Sequence, residues 1–274
     1  MCSRRIVALL CVVASTGFAP PPTRLRRRTT LVALAPSDGA SALDAANTHI
    51  ALAPSDAAHT LVALAPSGVD ALPEPLQAAV FFGAYAALGA GTAAATKVLD
   101  GARAALPAGS AELWRGSVEA LPLLGALYVA AGVSHFTNAD AFRAIYPPPG
   151  TWGVWYLPGG AGFHVAWTGF AECVGGLGLL AGGLLTKLED ERPGPLGIPL
   201  AGALTSAAAF GLFALTLAVT PANIFMFTHG ATMTPGALPV EFHYARFAIQ
   251  VVILSLLLTL AKESLFYAWG DQLD

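Results

Sequence analysis

From residue 76 onward the chain alternates long apolar runs with short polar breaks. Five runs stand out, at 76–99, 118–137, 160–185, 200–220 and 244–261. Each is 18 to 26 residues long, which is what a helix needs to cross about 30 Å of hydrocarbon at 1.5 Å rise per residue. The pattern predicts an all-α fold, a polytopic membrane helical bundle. Gly and Ala recur inside the runs. Gly178 and Gly182 form a small-xxx-small pair on the third, a surface on which backbones in lipid approach closely. The run at 76–99 is the weakest of the five. It is Ala- and Gly-rich and ends near Lys97, so a soluble helix is its alternative.

Composition agrees with that reading. Hydrophobic residues make up 55% of the chain and charged residues 11%, against roughly 25% charged in a soluble domain. That excludes an ordinary water-soluble globule, and such hydrophobicity excludes disorder over most of the length. The formal net charge of −3 hides an asymmetry. Arg4, Arg5, Arg24, Arg26, Arg27 and Arg28 lie in a stretch without any Asp or Glu, leaving eight basic against all 17 acidic residues in the rest. So acidic a body is unsuited to neutralising phosphates, and no nucleic-acid partner is expected.

The N-terminus reads as an address. A short basic start is followed by nine apolar residues at 6–14 and by the small residues Ala14, Ser15 and Thr16. This is signal-peptide grammar, too short to span a bilayer. Gly17-Phe18-Ala19-Pro20 and an Arg-rich, acid-free stretch come next. The arrangement resembles the bipartite plastid presequence of algae with complex plastids, a signal peptide at 1–17 and a transit peptide at 18–30. That resemblance implies a plastid membrane, envelope or thylakoid; a plain secretory signal is the alternative. Residues 31–75 form a low-complexity linker, in which LVALAPS at 31–37 returns at 61–67 with IALAPS between them at 50–55. Each apolar stretch there is broken by Pro before it could span.

Loop charges predict the orientation. Lys97, Arg103, Arg115, Lys187, Arg192 and Lys262 flank one side of five spans, and only Arg143 the other. By the positive-inside rule the C-terminus, with its tail at 263–274, faces the stroma. On the opposite side Trp152, Trp155 and Tyr156 suit an interfacial aromatic belt. Polar residues inside spans are costly and mark structure or function, and they cluster toward that same side. His135 ends the second span, and His164, Thr168 and Glu172 share one face of the third. Asn223 follows the fourth, and His243, Arg246 and Gln250 share one face of the fifth. Glu172 lies deepest, and an ion pair with Arg246 is one expectation for it. No metal is expected, because no paired-His or Cys-His ligand spacing occurs. Cys173, the single cysteine after residue 11, allows no intramolecular disulfide within the body.

Four motifs in order resemble the DoxX-like membrane proteins. They are AAGVSHFTNADAF at 130–142, TGFAECVGGLGLL at 168–180, PANIFMF at 221–227 and ARFAIQ at 245–250. The resemblance spans 114–262 and implies a four-helix core, with the helix at 76–99 as an added N-terminal span. In that family's pattern the marked positions here are Gly132, His135, Phe136, Gly169, Glu172, Pro221, Ala222, Asn223, Arg246 and Gln250. The segment TWGVWYLPGG, after Pro147 to Gly150, departs from it. The resemblance implies an accessory subunit whose pocket, lined by His135, His164, Glu172, Asn223, His243, Arg246 and Gln250, holds a quinone or similar lipophilic redox molecule. Other membrane subunits and membrane lipid are the implied partners. A non-catalytic assembly factor or scaffold is the alternative, and the residues assign no catalytic role.

Overall fold

Where the apolar runs end, Pro and Gly set the helix boundaries. The computed structural model describes residues 67–107, 110–189, 200–234 and 238–269. The chain divides into two units, Met1–Thr60 and Leu61–Asp274, and every described residue belongs to the second. The presequence, most of the linker, Arg192 and the end of the tail lie outside the described residues. Among those described there is no strand. The helices are α1 Glu74–Ala104, α2 Ala111–Ala120, α3 Leu124–Thr137, α4 Ala139–Ala144, α5 Ala161–Glu189, α6 Leu200–Ala218, α7 Thr220–His229 and α8 Val240–Trp269. A proline in the first turn of α1 removes an N–H that would have no partner there. Pro221 does the same for α7, which ends on Gly230 at φ 69°, the left-handed conformation glycine favours at a helix end.

Among the described residues five segments are long and apolar enough to cross a membrane: Glu74–Ala104, Gly116–Thr137, Ala161–Leu188, Leu200–His229 and Val240–Ser264. They are the five expected spans, and the protein is a polytopic helical bundle. Two bounds differ from expectation. The fourth span continues past Thr220, because Pro221 falls where a helix tolerates it, so Asn223 is helical rather than in a loop. The fifth begins at Val240, which brings His243 into its first turns.

Chain neighbours pack together: α3 on α5, α5 on α6 and α6 on α8. The first span, for which a soluble helix was the alternative, is a member of the bundle and lies along the outer flank of α8. These two run parallel, as first and last of five crossings must. Ser255 donates to the Thr92 carbonyl at 3.3 Å, and one end further on Lys262 meets Asp100 at 3.1 Å and Arg103 pairs with Glu263. Tyr85 also donates to the Leu217 carbonyl at 3.0 Å, tying α1 to α6.

Glycine lets α5 serve as the central helix. A Cβ on Gly132 would stand 2.6 Å from the Gly169 carbonyl oxygen, and one on Gly176 would stand 2.5 Å from that of Gly125. Pro122 occupies the corresponding place at Gly183. Gly169, Gly176 and Gly183 are seven apart, so one stripe of α5 meets α3 at the repeat of a left-handed helix pair. A second stripe faces α6, with Gly175 against Leu212, Gly178 against Ala208 and Gly182 against Thr205.

The aromatic loop between α4 and α5 corrects an expectation. Trp152 is not in an interfacial belt but 1% exposed, inside a core with Phe81 of α1 and Ile224 of α7. Its ring lies 4.6 Å from that of Phe81, and its Nε1 donates to the Thr228 hydroxyl at 3.0 Å. Such a position requires a sharp reversal. Gly150 (φ 88°), Trp152 (φ 56°) and Gly153 (φ 71°) all have positive φ, a conformation that costs a non-glycine residue roughly 1–2 kcal/mol. Tyr156 is 70% exposed and keeps a surface position, and Trp155 packs on the edge of Trp152.

Candidate functional site

The seven residues expected to line one pocket fall into two groups. The first lies between α3 and α5. The His135 ring lies against Phe142 of α4, tilted by 31°, with 3.8 Å between ring centroids. Its Nδ1 lies 3.0 Å from the Val165 carbonyl, and its Nε2 stands 3.4 Å from a Glu172 oxygen. The side chains of His135 and Glu172 are each about 10% exposed. Thr168 sits one turn below Glu172, donates to the His164 carbonyl at 2.7 Å and touches His135 Nδ1 at 3.2 Å. The shared face of α5 read from its sequence is therefore real.

His164 ends that face as a structural cap. Its Nε2 donates to the Pro158 carbonyl at 2.8 Å, and its Nδ1 accepts from Trp167 Nε1 at 3.1 Å, so both ring nitrogens are engaged. Tyr146 stacks on it at 5.1 Å. Burial pushes the Tyr146 phenol above its ordinary value.

The second group lies where α1, α7 and α8 meet. Arg246, His243, Asn223, Gln250 and Thr220 line a cavity of about 270 Å³ whose remaining walls are largely apolar, among them Val80 and Ala84 of α1 and Phe227 and Phe247. Asn223 donates to Gln250 Oε1 at 2.9 Å, and Gln250 Nε2 donates to the Thr220 hydroxyl at 2.7 Å. This pair fixes the amide orientations and joins α7 to α8. Arg246 donates to the Met226 sulfur at 2.8 Å, a weak acceptor.

The expected Glu172–Arg246 ion pair does not form. Glu172 faces His135 across α3 and α5, while Arg246 points into the cavity on α8 with α6 standing between those helices. Among the described residues no carboxylate lies within ion-pair distance of Arg246. No group of metal-ligating side chains occurs among them either.

Residues absent from the expected set tie α3 to the helices of the second group. The Tyr128 hydroxyl of α3 meets the Thr216 hydroxyl of α6 at 2.7 Å. The Thr216 carbonyl in turn accepts from Gln250 Nε2 at 3.4 Å. Thr216 and Thr220 stand one helical turn apart on one face, a spacing present in the sequence. Comparison of the chain with sequence models of known families, with curated proteins and with solved structures finds no match. Fold and site define a class: an integral membrane protein with five apolar, span-length helices among the described residues and a largely apolar cavity that carries a few polar side chains.

Proposed function

We propose that the chain is a DoxX-like membrane protein whose cavity binds a lipid-soluble molecule with a hydrogen-bond-accepting headgroup, of the quinone class, as an accessory component of a membrane redox system. One observation carries this reading: a guanidinium with no carboxylate partner among the described residues lines a largely apolar cavity. A charge at membrane depth costs several kcal/mol unless something compensates it, and a carbonyl or anionic headgroup would do so. A cavity of roughly 150 Å³ accepts a benzene ring, so about 270 Å³ is room for a substituted ring with its oxygens.

The motif residues support the family reading by where they meet. Gly132 abuts Gly169, His135 faces Glu172, and Asn223 bonds Gln250. A bound quinone supplies reversible electron and proton uptake at its carbonyls. Arg246 would donate to one oxygen and stabilise negative charge growing on it. His243, buried at the cavity wall with Phe227 at 5.8 Å, would hold a proton donor beside the ring. Asn223 and Gln250 would keep that wall rigid. The signal-like start and Arg-rich stretch after Phe18 support a plastid membrane, and the Lys and Arg imbalance supports a stromal C-terminus. The assembly-factor alternative draws on His164, whose ring is wholly used within the chain.

Thermal unfolding of the full chain in detergent tests this. A short-chain quinone at about 100 times its dissociation constant should stabilise the wild type by about 2.7 kcal/mol. Arg246→Gln should unfold cooperatively yet lose that shift. No shift in the wild type, or an equal shift in the variant, would refute the pocket's role.

A further inference from the structure

We infer that Glu172 and His135 form a second site, one that holds a single exchangeable proton inside the membrane, separate from the cavity around Arg246. His135 Nδ1 lies 3.0 Å from the Val165 carbonyl, which can only accept, so Nδ1 carries a hydrogen. That leaves Nε2 facing the Glu172 oxygen at 3.4 Å. The same oxygen is buried and has no hydrogen-bond partner among the described residues.

Three occupancies of this gap can be compared. With no proton, a lone pair on nitrogen faces a carboxylate, two acceptors against each other with a negative charge in apolar surroundings. With two protons, an N–H⁺ faces an O–H, two donors against each other with a positive charge. With one proton the pair is complementary and neutral overall, whether written as a carboxyl donating to imidazole or as imidazolium donating to carboxylate. Uptake adds one proton from water to one of these two atoms, and release returns it. No other bond changes.

Among the described residues nothing packed around the pair supplies a competing counter-charge. The hydroxyl of Tyr128 on α3 is hydrogen-bonded to the Thr216 hydroxyl of α6 at 2.7 Å. Helix α6 has no titratable side chain along its length. On α4, Arg143 and Asp140 pair with each other at 2.8 Å on the exposed surface, and Phe142 covers the imidazole face. On α5 itself Cys173 points to the Val129 carbonyl, and His164 is engaged as described. Arg246 and His243 of α8 belong to the separate cavity. The two groups must therefore titrate as one unit.

Infrared difference spectroscopy of the full chain in lipid nanodiscs, scanned from acid to alkaline pH, tests this without any quinone added. In the wild type a carboxyl C=O band and an imidazole band should move with a common midpoint, the first shifting in D₂O. Glu172→Gln should remove the carboxyl band, and His135→Gln should move the midpoint of the remaining carboxyl by more than about one pH unit. The wild-type scan is informative even where a variant folds poorly. Separate wild-type midpoints, or a carboxyl midpoint unmoved in His135→Gln, would overturn the site. Neither result bears on quinone binding, so failure here is distinguishable from failure of the pocket.

Discussion

Gly176→Leu should abolish the folded bundle. The substitution drives a side chain into the Gly125 carbonyl and the Val129 side chain, and backbone cannot yield as a flexible side chain would. Overpacking of a close-packed core costs about 1–3 kcal/mol and occasionally more. Here the upper end or beyond is expected, because α3 and α5 would have to part along their whole seam. Gly132→Leu should act alike, as its Cβ would meet the Gly169 carbonyl and Cys173. Gly101→Leu is the control, since nothing lies near a Cβ there. Size-exclusion profiles and thermal unfolding in detergent would show aggregation for the first two and wild-type behaviour for the third. A well-folded Gly176→Leu would mean that the α3–α5 contact is looser than described.

The second large effect is expected at Trp152. Replacing it with Ala removes the ring that joins Phe81, Trp155, Phe225 and His229, and such a truncation costs about 3–5 kcal/mol. Ala inherits the positive φ, so no strain is recovered. Trp152→Phe keeps much of the packing and loses the bond to Thr228, costing about 1 kcal/mol. The order wild type, Phe, Ala in unfolding free energy would support the core position. Equal stabilities would fit a surface residue instead.

What the sequence could disclose follows from which information is local. The five spans were legible because apolar length is a property of each segment alone. So was the common face of His164, Thr168 and Glu172, which needs only the helical period. Which helix faces which is not local. Arg246 and Glu172 are both polar groups on inner faces, yet α6 stands between their helices, and His135 is the partner that meets Glu172. The place of Trp152 was equally hidden, since it depends on Phe81 from a helix some 70 residues earlier and on a left-handed backbone that a tryptophan rarely adopts. By contrast, the seven-residue spacing of Gly169, Gly176 and Gly183 is written in the sequence, whereas the Gly178–Gly182 pair marks only the stripe toward α6. Tyr128 and Thr216 gave no motif; their roles come from meeting each other across α3 and α6.

The cavity between α1, α7 and α8 is the proposed seat of a lipophilic headgroup. Photolabelling can show whether it is occupied. The purified full chain is irradiated with a quinone bearing a photoreactive group on its ring, and the labelled peptides are mapped by mass spectrometry. Labels are expected at Val80 to Ala84 and at His243 to Gln250, suppressed by excess unlabelled quinone and lost in Arg246→Gln. Labels spread along the lipid-facing helices, or insensitive to competition, would contradict it.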